Sequence, residues 1–199
     1  MVLSLTVTVN DKLRAYLNGN LLGETTIGTP VSGNSNFRIG WVNSVEAELF
    51  NPASFDGVID EVRLWNVART EAEIQSTMNS TLAGTEEGLV GYWNFNEGEG
   101  STLTDLSGNG NNGVISGAAW SDDVYVPPVP PVPGGNNSLS FDGTDDYVSF
   151  HYSDVHDFDG EDEATLSAWV KIDAFDPNDS NGGTQRILAK RDGYYLAVE

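Results

Sequence analysis

Apolar and polar residues alternate with a period of two along most of the chain, the pattern of strands with one face in a core and the other in water. Residues 3–9 (LSLTVTV) and 13–17 (LRAYL) alternate on either side of Asn10, Asp11 and Lys12. Asn18-Gly19 follows, a hairpin signal because both residues tolerate the positive φ of a two-residue turn. Similar runs stand at 37–42 (FRIGWV), 45–50 (VEAELF), 58–65 (VIDEVRLW), 89–95 (LVGYWNF), 113–116, 138–150 (SLSFDGTDDYVSF), 165–172 (TLSAWVKI) and 186–198 (RILAKRDGYYLAV). About ten short strands separated by Gly, Asn and Asp turns predict an all-β fold, an antiparallel β-sandwich. One short helix is expected, at TEAEIQSTM, where Thr70 and Glu73 fit the Ser/Thr-x-x-Glu capping box.

One stretch breaks the alternation. Residues 124–135 read VYVPPVPPVPGG, and proline at this density excludes a helix and a central strand, leaving an extended spacer that ends in a Gly pair. The expected organisation is one sandwich built from two segments, 1–122 and 137–199, joined by a Pro-rich linker at 123–136. An echo crosses the linker. Phe55-Asp56-Gly57-Val58-Ile59-Asp60-Glu61-Val62 and Phe141-Asp142-Gly143-Thr144-Asp145-Asp146-Tyr147-Val148 share the pattern F-D-G-x-x-D-x-V.

These residues carry a family resemblance. SLSFDGTDDYVSF (138–150), ATLSAWVKI (164–172), LRAYLNGNLLGE (13–24), FRIG (37–40) and FDGVIDEVRLWNVARTEAEI (55–74) resemble the laminin-G-like, concanavalin-A-like jelly-roll modules of secreted and surface proteins. GLVGYWNFNEGEGSTLTDLSGNGNNGVISGAAW (88–120) is similar to a segment that adjoins such modules. The resemblance implies a jelly roll and an extracellular or cell-surface setting. It also implies an order in which FDGTDDYV comes early and FDGVIDEVRLWN late, the reverse of the order found here. Two explanations stand open: an excerpt spanning two tandem modules, or a circular permutant closed through the Pro-rich spacer. Such modules have further strands between the GYYLAV and LTVTV strands, and the sequence leaves open whether the binding groove those strands would line is formed here.

Composition narrows the function classes. Thirty Asp and Glu against nine Lys and Arg give a net charge of -21, a field that repels nucleic-acid phosphate and anionic lipid headgroups. Five Trp, seven Tyr and eight Phe, spread through alternating segments, argue against disorder as the source of that surplus. The chain contains no Cys, which removes disulfides, thiolate metal sites and cysteine nucleophiles. No run approaches the roughly 18 apolar residues of a membrane span, and MVLSLTVTVN lacks the basic start of a signal peptide.

Chemistry therefore rests on carboxylates. His151 and His156 read as solvated loop residues, since their spacing puts them on opposite faces of a strand. Relatives on this fold that cleave glycans share an E-x-D-x-x-E or E-x-D-x-E strand, with a retaining pair of acids about 5 to 5.5 Å apart. The nearest candidate, Glu46-Ala47-Glu48, lacks the third acid, so the chain is expected not to be an enzyme. Calcium is the expected cofactor, because Gly-bearing acidic turns supply the oxygens it needs. Asp142 and Gly143 in one FDG turn and Asp60 in the other strand are expected to share an ion across the two segments. Asp146 and Asp145 stand as further ligands, and Asp105, with Asn109 and Asn111, as another candidate; the alternative is that these acids only bind turn amides. Residues 154–163 (DVHDFDGEDE) resemble an EF-hand through Asp157, Asp159 and Gly160. Ala168 occupies the place of the bidentate Glu, however, so the stretch reads as a solvated acidic loop. Trp65, Trp93 and Trp169 are assigned to the core; Trp41 and Trp120, beside turns, are candidates for stacking on a sugar ring.

The expected function is a non-catalytic module that binds carbohydrate or mediates adhesion, with a structural calcium ion. The alternatives are an assembly repeat without a glycan ligand, and, behind it, a glucanase. Expected partners are a glycan or cell-surface ligand, with no nucleic acid and no membrane insertion. The chain is expected to close within itself as a monomer, with assembly by domain swapping as the alternative.

Overall fold

The computed structural model describes residues 1–8, 12–26, 36–40, 54–124, 137–151, 163–173, 185–190 and 195–198. The strand expected at 45–50, the residues Trp41, Glu46, Glu48, His156, Asp157 and Asp159, and the linker beyond Val124 lie outside the described residues.

The described strands form two antiparallel sheets. The first has the order β3 (Asn20–Thr26), β2 (Lys12–Leu17), β1 (Val2–Thr8), β12 (Ala164–Ile172), β5 (Asp56–Trp65), β10 (Ser138–Asp142) and β9 (Ala119–Ser121), with β6 (Leu89–Trp93) also paired to β5. The second runs β14 (Tyr195–Val198), β13 (Gln185–Lys190), β4 (Phe37–Ile39), β11 (Tyr147–Phe150), β8 (Gly113–Ser116) and β7 (Thr102–Leu103). Inward residues of both sheets meet in one core, Leu3, Ile59, Val62, Leu64, Leu139, Leu166 and Val170 from the first against Phe37, Ile39, Ile115, Val148, Phe150 and Leu188 from the second. Two sheets closed on a shared apolar layer are what period-two alternation demands. The arrangement is consistent with a concanavalin-A-like sandwich. Trp93 seals it, its ring 4.7 Å from Phe150 and 6.0 Å from Phe37, centroid to centroid.

Local signals account for the connections. Asn18 and Gly19 both take positive φ, 50° and 75°, and join β2 to β3 in the tight turn their sequence predicts. Helix α1 (Glu71–Thr77) starts at Thr70, whose side chain accepts from the Glu73 amide while the Glu73 carboxylate accepts from the Thr70 amide at 2.7 Å. Its apolar residue Ile74 faces the outer side of the first sheet.

β5 carries the least regular backbone. Glu61 has φ 52°, a conformation non-Gly residues rarely adopt, and forms a bulge against β12 between Ser167 and Trp169. The bulge divides the strand: residues 56–59 pair with β10 and residues 62–65 with β6. It also aims the Glu61 carboxylate at Arg63 Nη2 (2.7 Å) and the Tyr92 hydroxyl (3.0 Å). Arg63 in turn donates to Thr77 O and Ser80 O, tying down the C-terminal end of α1. Burial pushes the Tyr92 hydroxyl well above its ordinary range, with the Glu61 charge adding to the effect, so it remains a donor.

Four differences from the sequence reading emerge. Residues 138–150 are two strands in different sheets, β10 and β11. β3, β7 and β9 were not expected as strands; they are short or wholly exposed, so alternation leaves little trace in them. The run at 89–95 ends as a strand at Trp93. That at 186–198 is two strands, β13 and β14, which pair with each other.

Candidate functional site

The four-residue turn between β10 and β11 carries the chain from one sheet to the other, and with Asp142 at the end of β10 it brings together three aspartates, Asp142, Asp145 and Asp146. The Asp142 Oδ1 accepts from the Thr144 amide at 2.9 Å, an Asx turn that starts the reversal. Asp146 is buried, and its Oδ2 accepts from the Asp142 amide at 2.9 Å. The other carboxylate oxygen lies so close to Gly117 that a Cβ there would stand 2.0 Å away, so only glycine admits this aspartate. Ligand oxygens of Asp142, Asp145 and Asp146 all lie within 4.8 Å of one another. Asp142 and Asp145 are exposed.

A fourth carboxylate flanks the group. Asp56 is the register partner of Asp142, and a Cβ on Gly143 would stand 3.0 Å from the Asp56 Cβ. The two F-D-G echoes thus lie antiparallel, side by side, with Phe55 and Phe141 edge to face at 6.1 Å. Burial raises the Asp56 carboxyl above its ordinary range, with the charges of Asp173 and Asp142 adding to the effect. Asp146 is raised chiefly by burial and further by Asp142 and Asp145, against the Asp142 amide, which favours its ionised form. The arrangement suits a hard cation: carboxylate oxygens this close together can reach one ion, and the positive charge would relieve their repulsion.

The other expected ligands are placed elsewhere. Asp60 pairs with Trp169, not with Asp142, and stands four residues along β5 from Asp56, roughly 13 Å at the rise of a strand. The expected ion shared by Asp60 and Asp142 therefore has no common position. Asp105 accepts from the amides of Tyr92 (3.1 Å), Ser107 (2.9 Å) and Asn111 (2.9 Å), so its two oxygens organise the loop. Asn109 and Asn111 donate to Val90 O across the same loop. Trp120 packs half-buried against the core, opposite Leu139, and donates its indole N–H to Gly100 O at 2.9 Å. Trp65, Trp93 and Trp169 are all buried, each in a different apolar cluster. His151 is exposed at the end of β11, and Ala168 is a core residue of β12.

A second constellation was not anticipated. On the outer face of the second sheet, the Arg38 guanidinium lies 5.1 Å over the Tyr147 ring. Ser149 pairs with both Arg38 and Val114, and Tyr147 pairs with Ser116. Alternation in FRI and YVSF sends Arg38 and Tyr147 outward, but nothing in the sequence shows that these two strands are neighbours.

Residues 3–75 match the family model of the concanavalin A-like lectin/glucanases superfamily. No curated protein and no solved structure matches the chain. Among the described residues no helix is long and apolar enough to cross a membrane.

Proposed function

We propose that this chain is a non-catalytic, lectin-type module of an extracellular or cell-surface protein, folding as one concanavalin-A-like jelly roll assembled from residues 1–122 and 137–199. The observation that carries the reading is the superfamily match over residues 3–75, which contribute β1 to β5 of the two sheets. Carbohydrate would bind on the outer face of the second sheet, where the Tyr147 ring offers an apolar face to a sugar and Arg38, Ser149 and Ser116 offer polar contacts. Trp41 and Trp120 remain further stacking candidates. Glycan-array binding that Tyr147→Ala abolishes, with an unchanged melting temperature, supports this reading. Absence of binding to any glycan favours the assembly module instead, and release of reducing ends from a β-glucan would replace it with the glucanase reading.

Calcium would sit at the turn, held by Asp142, Asp145 and Asp146, with Gly143 giving the reversal. Its role there is structural, joining β10 to β11 and thereby one sheet to the other. At 100 times its dissociation constant the ion would stabilise the fold by about 2.7 kcal/mol. Chelator should then lower the melting temperature of the wild type and leave Asp142→Ala unchanged. Identical curves with calcium and chelator would exclude the ion.

A further inference from the structure

The first sheet has a polar recess of its own, on the outer side beneath α1. Three register partners form a row across the sheet there: Ser4 on β1, Ser167 on β12 and Arg63 on β5. Trp65 lies in the neighbouring row, opposite Thr165. Ile74, Thr77 and the C-cap residue Met78 roof these residues and leave a cavity of about 10 Å³, room for one oxygen-sized group. The lining is rich in donors that the fold leaves over. Ser4 is 2% exposed and Arg63 4%, yet the Ser4 hydroxyl and the Arg63 Nε have no hydrogen-bond partner. The other Arg63 nitrogens are engaged, Nη1 by Thr77 O and Nη2 by Glu61 and Ser80 O.

Arg69, half-buried on the same cavity, rests its guanidinium 4.1 Å over the Trp65 ring and makes no ion pair among the described residues. Stacking occupies the face of the guanidinium and leaves its N–H edges to donate. No Asp or Glu lines the cavity, in a chain that has thirty. The neighbouring carboxylates are taken up elsewhere, Glu61 by Arg63 and Tyr92 and Glu73 by Thr70. Buried donors without an acceptor cost stability, and an acceptor entering the cavity recovers it. We infer that this recess binds a small carboxylate, one oxygen in the row of Ser4, Ser167 and Arg63 and the other at the edge of Arg69. A carboxylate suits it better than a tetrahedral sulfate, because the space admits one oxygen and the guanidinium matches a plane of two.

The test uses acetate as the probe, added to the full-length chain in calcium-free buffer at constant ionic strength. The readout is the Arg63 Nε–H resonance in a proton–nitrogen spectrum. It should shift with acetate until the shift saturates, and should not do so with sulfate or chloride. Arg69→Gln should weaken the acetate affinity several-fold. Ser4→Ala, which removes only one small hydroxyl, should weaken it as well and carries the comparison by itself if Arg69→Gln unfolds. Melting curves give a second measure. Without acetate Ser4→Ala should melt no lower than the wild type, because the hydroxyl it removes is unpaired; with saturating acetate the wild type should gain more than the variant. No saturable shift, an equal one with sulfate or chloride, or an acetate affinity unchanged in Ser4→Ala and in Arg69→Gln overturns the inference.

Discussion

Asp105 and Asp146 show how two buried carboxylates of similar sequence setting take different roles. Asp105 accepts from three backbone amides, those of Tyr92, Ser107 and Asn111. Asp105→Ala should therefore cost about 2 to 4 kcal/mol, because amides are left unpaired in a protected loop. Urea denaturation should give the same loss with calcium as with chelator; a loss confined to the calcium-loaded protein would make Asp105 a ligand after all. Asp146 sits among like charges with its carboxyl raised by burial, as does Asp56. A carboxyl raised in the native state holds its proton there at a pH where the unfolded chain has released it. Between the raised value and the ordinary carboxylate range near 3.8, stability thus increases as pH falls. In chelator, Asp146→Asn should show a smaller gain on acidification than the wild type in paired urea titrations, and an equal gain would contradict this environment for Asp146. The spacing of these acids was legible in the sequence. Their division into amide binder and charge cluster was not, because it depends on which strand lies opposite each one.

Among the elements, α1 is the one whose boundary can be traced to single side chains. Its N-terminus rests on the reciprocal pair of Thr70 and Glu73, and the Thr70 amide holds the Glu73 carboxyl below its ordinary range. Thr70→Ala should cost about 1 kcal/mol, while Thr70→Ser should cost little, as read from denaturation midpoints. Capping is a local code, and so is the Asn18-Gly19 hairpin; both were readable because the interacting residues are neighbours in sequence. The bulge at Glu61 was not readable. VIDEVRLW alternates well enough to predict a strand, yet nothing local reveals the positive φ, which is held by Arg63, Tyr92 and the Asp60 carboxylate accepting from the Glu61 amide at 2.7 Å. β10 and β11 teach the same lesson. Their residues were read as one alternating run, 138–150, and its division between two sheets follows from β5 and β9 on one side and β4 and β8 on the other.

For the whole molecule, strands from either side of residues 125–136 lie next to one another in both sheets. Sequence order and the Pro-rich stretch marked the division, and the registers show how closely its sides depend on each other: β12 touches β1 along one edge and β5 along the other. Residues 1–122 and 136–199, expressed separately, should fail to melt cooperatively and should fold when mixed, since each lacks strands that complete the other's sheets. The surface face bearing Arg38 and Tyr147 depends on the same interleaving, because β4 belongs to one segment and β11 to the other. The contact between Arg38 and Tyr147 should therefore be lost when the halves are separated. Native-state hydrogen exchange of the intact chain tests the central claim most directly, by comparing protection of β1, β5, β10 and β12 across a denaturant series. One cooperative sandwich predicts that their slowest amides converge on a single opening free energy. Protection of β5 that persists while β12 and β10 exchange freely would contradict it, and would divide the chain into two independent units.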